Sequence, residues 1–456
     1  MFDFSDTVAA VSTPRGKGGV AVIRISGENT RAVLSHVFRA KHSPADNPRR
    51  ACFGQILDDA GQVVDEGLAL FFPSPASFTG EDVAEISCHG GALLTEAVLS
   101  AVLAAGARAA TAGEFTRRAL LNGKITLTSA EALGALLEAR TTGQLTLARG
   151  GMAGRLSAAV CESFDRLSLL LADAYAKIDF PDEDLNTLSR EALTAELEKV
   201  HKSLESLLAT YRTGHAVAEG ISTVICGPVN AGKSTLYNAL VGREAAIVTD
   251  IAGTTRDILC ETVALGTVTL RLFDTAGLRE TDDTVEGIGV DRARQAMEQA
   301  ELVLAVFDAS AEAGAAEKQL IEQLKKLPAT VVIVLNKCDN GMRFSEHLLE
   351  SLPYVVRLSA KEGDVTALRE RIEALYLCDG ISLGEDAVVA NARQYAALRR
   401  SAEGLATAIA ALQAGVPLDA ACVDAELAMQ ALGVVDGRAV DEAIIADIFS
   451  HFCVGK

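Results

Sequence analysis

Near the start of the chain the apolar residues come in short bursts separated by polar ones, the pattern of strands rather than helices. Val20-Ala21-Val22-Ile23-Arg24-Ile25 is one burst, ended by Ser26-Gly27. Gly67 to Phe72 is another, stopped by Pro73 and Pro75, and Asp82 to Cys88 is a third, running into Gly90-Gly91. A helix is predicted from Ala92 to Ala105, ended by Gly106. Residues from Thr7 to about Arg118 therefore read as a β-rich α/β domain. From Thr128 the apolar spacing becomes helical. Thr128-Ser129-Ala130-Glu131 has the form of a capping box, and the helical pattern continues, broken at Gly150-Gly151 and Phe180-Pro181, to about Gly214. Strand and helix patterns alternate from Ile221 to about Cys378, which predicts a mostly parallel sheet. After Gly380–Gly384 the chain is helical again to Phe452.

The fold class expected is thus multidomain, α/β and all-α: an N-terminal domain over 1–121, helical segments over 122–214 and 381–456, and an α/β unit over 215–380 inserted between them. Insertion into a helical host is reasonable because the ends of a compact domain often lie close together. The two helical segments pack as one domain in this reading, although the pattern also allows two.

The inserted unit carries recognisable chemistry. Gly227-Pro228-Val229-Asn230-Ala231-Gly232-Lys233-Ser234, followed by Thr235, fits the phosphate-loop pattern, with an apolar strand before it and a helix after it. Glycines let the backbone curl so that successive N–H groups face phosphate oxygens, and the helix N-terminus adds positive potential. Lys233 is expected on the β- and γ-phosphates and the Ser234 hydroxyl on magnesium. Asp274-Thr275-Ala276-Gly277 follows a second strand. There Asp274 would hold magnesium through its water shell, and the Gly277 N–H would sense the γ-phosphate. Asn336-Lys337-Cys338-Asp339 ends the very apolar Val331 to Leu335, and Ser359-Ala360-Lys361 supplies the remaining base loop. A carboxylate at Asp339 suits guanine, which presents two adjacent donors where adenine has no such pair. The order of the four elements points to GTP rather than ATP.

Thr249-Asp250-Ile251-Ala252-Gly253-Thr254-Thr255-Arg256-Asp257 is polar around a central glycine and suits a segment closing over the γ-phosphate, with Thr255 as a second magnesium ligand. Asn230 offers a neutral oxygen near the phosphates, a position where a monovalent cation could do the work of an arginine finger. Hydrolysis needs a group to orient water. The residue after Gly277 is Leu278, which can neither donate nor accept a hydrogen bond, so one of the acidic residues Glu280, Asp282, Asp283 and Glu286 is expected to serve.

Composition narrows the setting. Hydrophobic residues make up 49% and charged ones 23% of the 456 residues, which is ordinary globular protein rather than disorder. No apolar run is long enough to cross a bilayer, and the acidic N-terminus lacks the features of a secretory signal. The nine cysteines are odd in number and scattered, which fits a reducing cytoplasm and neither a disulfide framework nor a structural zinc site. A formal charge of −19 is unlike that of most nucleic-acid binders. If RNA is a substrate, a partner or a local basic patch must hold it. Arg49-Arg50, Arg117-Arg118 and Arg399-Arg400 are the candidates, against a plainer reading as solvated surface.

Outside the nucleotide motifs the chain resembles the MnmE (TrmE) family of tRNA uridine-modification GTPases. The resemblance is carried by Thr13-Pro14-Arg15-Gly16-Lys17-Gly18-Gly19-Val20, Phe78-Thr79-Gly80-Glu81-Asp82, Cys88-His89-Gly90-Gly91, Gly113-Glu114-Phe115-Thr116, Asn122-Gly123-Lys124, Ile178-Asp179-Phe180-Pro181 and the closing Phe452-Cys453-Val454-Gly455-Lys456. It implies a folate-binding N-terminal domain that dimerises, a helical domain made of two segments and an inserted P-loop GTPase domain. It implies a homodimer working with the flavoprotein MnmG, in a heterotetramer, with FAD on that partner. The product is a carboxymethylaminomethyl or aminomethyl group at C5 of the wobble uridine of certain tRNAs. The one-carbon donor is a tetrahydrofolate derivative, 5-formyl or 5,10-methylene.

Carried over by motif, Arg24, Glu81 and Lys124 contact folate. Asn230, Thr249, Ile251 and Thr254 hold potassium, Glu286 is the general base acting through a water, and Cys453 takes part in the modification chemistry. Two departures stand out: Val454 where isoleucine is commoner, and Gly437-Arg438 where more acidic residues are expected. Two other classes compete. One is a ribosome-assembly GTPase, which would need an RNA-binding module beside a basic helix. The other is a folate-dependent transferase in which nucleotide turnover is only a timer.

Overall fold

A computed structural model of the protein describes residues 6–14, 16–180, 187–243, 260–273, 295–378, 380–439, 442–450 and 452–455. The N-terminal bursts become strands β1 (Val8–Val11), β2 (Val20–Ser26), β3 (Phe38–Ala40), β4 (Cys52–Leu57), β5 (Val63–Phe72), β6 (Val83–His89) and β7 (Arg108–Ala109). Helices α1 (Thr30–Val37) and α2 (Ala92–Ala104) lie between them, and α3 (Glu114–Leu121) and α4 (Leu127–Glu138) follow. The sheet runs β3-β4-β5-β6-β2-β1-β7, with antiparallel neighbours except for the parallel β1–β7 pair. Ile23 and Ile25 of β2, Ile56 of β4, Phe71 of β5 and Ile86 of β6 bury against Val33, Leu34, Val98 and Val102 of the two helices. Strand β5 begins earlier than its apolar run because Asp65 and Glu66 pair with Ile56 and Gln55 of β4. Two consecutive acids hid that part of the strand.

Two helix limits also differ from expectation. Helix α4 begins at the fully buried Leu127, and its cap is Thr126, whose carbonyl accepts from the Ala130 N–H and whose hydroxyl accepts from the Ser129 N–H. Thr128 therefore lies inside the first turn. Gly150 and Gly151 lie inside α5 (Thr142–Met152), and the break comes at Ala153-Gly154, where Gly154 takes a left-handed conformation before α6 (Arg155–Asp179).

The chain continues with α7 (Arg190–Ala209), α8 (Tyr211–Ala218), β8 (Ile221–Cys226), α9 (Lys233–Arg243), β9 (Cys260–Leu265) and β10 (Val268–Phe273). After these come β11 (Leu302–Asp308), α10 (Ala315–Leu324), β12 (Thr330–Asn336), β13 (Val355–Arg357) and α11 (Thr366–Tyr376). Helices α12 (Ala392–Gln413), α13 (Leu418–Asp436) and α14 (Glu442–Ser450) close the chain. The second sheet runs β13-β12-β11-β8-β10-β9 and is parallel except at β9–β10. Strand β11 is buried along Leu302–Phe307, as a strand covered on both faces must be. Strand order reverses between β8 and β11, so the carboxyl ends of β8, β11, β12 and β13 open on the crevice where such sheets bind ligands.

The two helical segments share one core: Leu167 of α6, Leu204 of α7, Leu398 and Leu405 of α12 and Leu432 of α13 are fully buried in a single cluster. By compactness the chain forms one unit from Met1–Gly134 with Asp436–Lys456 and another from Ala135–Val435. The closing residues, expected with the second helical segment, belong to the N-terminal unit, where Val454 pairs with Ala112. Among the described residues no helix is long and apolar enough to cross a membrane.

Candidate functional site

The loop between β8 and α9 is shaped by positions that only glycine fills. Gly227 has φ +148° and a Cβ there would lie 2.2 Å from the Val306 carbonyl oxygen; Gly232 has φ +95° and a Cβ would lie 2.1 Å from Asn336 Nδ2. Asn230 between them is also left-handed, at φ 61°. Leu236 and Leu240 are buried and anchor α9, leaving Ser234 and Thr235 exposed in its first turn. The Lys233 ammonium donates to the carbonyls of Gly227 at 3.0 Å and Pro228 at 2.8 Å, and burial lowers its pKa. It is thus held over the loop by groups that an anion would outcompete.

The base loops close on the same place. Asn336, only 2% exposed, donates from Nδ2 to the Ala231 carbonyl at 3.0 Å and accepts at Oδ1 from the Ala360 N–H at 2.9 Å. One side chain therefore ties the phosphate loop to Ser359-Ala360-Lys361. Lys337, left-handed at φ 63°, donates to the Asn230 carbonyl and to Asp308 Oδ2, both at 2.6 Å. Asp339 and Lys361 are exposed, while the Ser359 hydroxyl is buried with no partner among the described residues.

Asp308 is a residue that sequence reasoning missed, although a lone carboxylate ending an apolar strand was a usable signal. Burial works against its ionised form, but the bonds from Lys337 and Ser310 prevail and hold its carboxyl below the usual range. Thr249, Asp250, Ile251, Ala252, Gly253, Thr254, Thr255, Asp274, Thr275, Ala276, Gly277 and Glu286 lie outside the described residues.

The N-terminal unit holds a second cluster. Arg24 on β2 pairs with its cross-strand neighbour Glu85 at 2.8 Å, and its guanidinium lies 5.5 Å from the Phe78 ring centroid and 5.7 Å from that of Phe115. Glu81 accepts from the Ser26 hydroxyl at 2.7 Å and from Arg118 at 3.1 Å through both oxygens. Lys124 is exposed and donates to the Pro75 carbonyl at 3.0 Å. The three folate candidates thus surround the segment Pro75 to Glu81. Arg118 is no surface patch: it is 1% exposed and bound to Asp6, Glu81 and Glu114. It was overlooked as a site residue because its partners are scattered along the sequence. Burial pushes Glu114 upward, yet the bonds from Arg108, the Thr111 N–H and Arg118 bring its carboxyl down to about 2. Arg49 and Arg50 are exposed, and Arg399 pairs with Glu403 on its own helix. Cys453 is exposed, and its carbonyl accepts from the Gly113 N–H just before α3.

The profile of the GTP-binding protein TrmE N-terminus matches residues 7–124, and that of the MnmE helical domain matches residues 127–453. The tRNA modification GTPase MnmE of Heliobacterium modesticaldum is 41% identical over 467 residues, covering 99% of each chain. That of Symbiobacterium thermophilum is 41% identical over 457 residues, with 99% of each covered. The Bacillus subtilis protein of the same name is 37% identical over 460 residues, covering 99% of this chain and 100% of its own. A solved G domain, from the T. maritima FeoB iron transporter, aligns with 34% of this chain and 98% of its own at 24% identity and a TM-score of 0.25, so the assignment rests on the sequence relatives. At these identities, end to end, the chain belongs to the tRNA modification GTPase MnmE family.

Proposed function

We propose that this chain is a GTP hydrolase that serves tRNA modification, with tRNA as its macromolecular substrate. The observation that carries the nucleotide reading is Asn336, which holds the phosphate loop and the base loop together at the carboxyl ends of β8 and β12. In this reading the loop N–H groups receive the phosphates and Lys233 exchanges its two carbonyl partners for phosphate oxygens. Asp339 accepts the two adjacent donors of guanine, with Ser359, Ala360 and Lys361 alongside. The exposed Ser234 hydroxyl, a hard oxygen at the helix start, fits magnesium, which would neutralise charge on the phosphates. Thr255 is its second ligand, Asp274 supports it, and Gly277 senses the γ-phosphate.

The finer proposal is potassium dependence, with the exposed Asn230 side chain joined by Thr249, Ile251 and Thr254, and with Glu286 orienting the attacking water. The N-terminal unit would bind a tetrahydrofolate derivative through Arg24, Glu81 and Lys124. The exposed Phe78 edge and the Arg24 guanidinium offer a flat ring a stacking surface and a carboxylate a cation, which fits such a ligand. Cys453 would join the modification chemistry. The chain would act in the cytoplasm as a homodimer with the flavoprotein MnmG. Together they would place a carboxymethylaminomethyl or aminomethyl group at C5 of the wobble uridine. The domain boundaries 1–121, 122–214, 215–380 and 381–456 stand as the functional division of this proposal.

The test is steady-state GTP hydrolysis in matched potassium and sodium buffers, for the wild type and Glu286→Ala. Strong potassium stimulation that the variant loses supports the reading. Equal rates in the two salts remove the potassium assignment, and no hydrolysis in either removes the GTPase reading.

A further inference from the structure

The strongest unexplained feature of the N-terminal unit is a guanidinium with no access to water. Arg118 donates to the Asp6 carbonyl at 3.0 Å and to Asp6 Oδ1 at 2.6 Å, to both oxygens of Glu81 at 3.1 Å, and to Glu114 Oε1 at 3.1 Å. Arg108 donates to the other carboxylate oxygen of Asp6 and to both oxygens of Glu114, sharing Oε1 with Arg118. These five side chains contain three carboxylates and two guanidinium groups, so the cluster keeps one negative charge in surplus.

The surplus is not shared evenly. Glu114 is fully buried, and its oxygens take both arginines as well as the Thr111 N–H and hydroxyl. Asp6 sits between the two arginines. Among the described residues Glu81 faces one arginine only. Its Oε2 takes Arg118 and the Ser26 hydroxyl, and among the described residues its Oε1 takes Arg118 alone. Ser26 is itself fixed by the Thr79 hydroxyl at 2.7 Å, with both residues completely buried. A carboxylate has about four acceptor positions, so Glu81 is held in one orientation with acceptor capacity to spare. Glu81 is the cluster's carboxylate beside the Arg24–Phe78 surface, to which it is joined by Thr79 and Gly80.

We infer that Arg118, backed by Ser26, is the positioning residue for Glu81, fixing its carboxylate so that the free Oε1 position accepts the N–H donors of a planar ligand such as the 2-amino-4-oxo edge of a reduced pterin. This rests on the folate reading of Glu81 and adds the residues that make it work. A buried salt bridge in a core is weak evidence for stability alone, since apolar residues of similar volume often serve as well. A preorganised acceptor gives such a cluster a use.

The experiment is a titration of the full-length chain with 5-formyltetrahydrofolate, read by calorimetry. Glu81→Gln should weaken binding at least about tenfold, the effect of a lost charge-assisted pair. Ser26→Ala, a small change, should weaken it about three- to tenfold, the range for one hydrogen bond. Arg118→Lys keeps the charge but not the fork, and should weaken it at least as much as Ser26→Ala. In the Glu81→Gln background, Ser26→Ala should have no further effect, which a general loosening of the fold would not reproduce. Wild-type binding by Glu81→Gln, or no binding by the wild type, would overturn the folate reading itself. Weak binding by Glu81→Gln with unchanged binding by Ser26→Ala, or an equal Ser26→Ala effect in both backgrounds, would overturn the positioning role alone.

Discussion

The phosphate loop and the Arg118 cluster meet the same problem, holding charged groups in place, by opposite means. In the phosphate loop, eight consecutive residues from Gly227 to Ser234 shape a backbone concavity, and the only cation bends back on two carbonyls of its own loop. In the Arg118 cluster, side chains from Asp6, Ser26, Glu81, Arg108, Glu114 and Arg118 satisfy one another before any ligand arrives. A backbone cradle needs no partner charge, because N–H dipoles are tolerated without an anion. A buried guanidinium cannot wait in that way. The first region can therefore stand unpaired, whereas the second must pair its guanidinium groups beforehand and leaves only spare acceptor capacity on Glu81.

That contrast can be broken by mutation. The largest effect is expected from Arg118→Ala, which strips Glu81 of its arginine and leaves Asp6 and Glu114 to share Arg108 alone. About 3–5 kcal/mol should be lost from the N-terminal unit, read as a lower urea midpoint in hydrogen exchange of α3. If the loss is below about 1 kcal/mol, the cluster does not carry the charge as described. Gly232→Ala should leave the fold intact and weaken GTP binding about a hundredfold, near 3 kcal/mol, because its Cβ drives Asn336 away from Ala231. Fluorescent-nucleotide titration checks this, and unchanged affinity would mean the loop adapts.

Asp308→Asn should be smaller, about three- to tenfold in GTP affinity. The Asp308–Lys337 pair is partly exposed and acts only by holding Lys337 on the Asn230 carbonyl. An effect equal to that of Gly232→Ala would give Asp308 a direct role instead.

Within the ordinary pH range the two units should change little, and beyond it they respond to pH with opposite signs. Glu114 is depressed from 4.5 to about 2, so its contribution is complete above pH 4.5 and fades as the pH falls toward 2. On α8, His215 is raised from 6.5 to about 9, first by its bond to Glu219, then by that to Glu301 against burial. Its contribution is complete below pH 6.5 and fades as the pH rises through 9. Hydrogen exchange of α3 should therefore accelerate first in acid and that of α8 first in alkali. The reverse order would invalidate both assignments.

How much of this was legible follows from the same contrast. Strands such as Ile221–Cys226 and Thr330–Asn336 announced themselves by apolar runs, and the motifs after them by spacing. The helix start at Leu127 and the early start of β5 depart from the local signals, because tertiary burial of Leu127 and cross-strand pairing of Asp65 and Glu66 override them. Arg24, Glu81 and Lys124 follow from the resemblance, while nothing local separates the buried Arg118 from its neighbour Arg117 as a basic patch or solvated surface.

By itself, then, the sequence determined what is local: the phosphate loop, the Asn336-Lys337-Cys338-Asp339 motif at the end of its strand, and the alternation that makes a mostly parallel sheet. Each depends on dihedral preferences and hydrogen-bonding patterns within a few residues. Only the tertiary structure decided that Asn336 joins two loops, that Asp308 holds Lys337, and that the closing Val454 pairs beside α3. It alone brought Arg118 to Glu81 and Asp6. Charge pairing acts through space over a few ångströms and takes no account of separation along the chain, so residues more than a hundred positions apart can become one site.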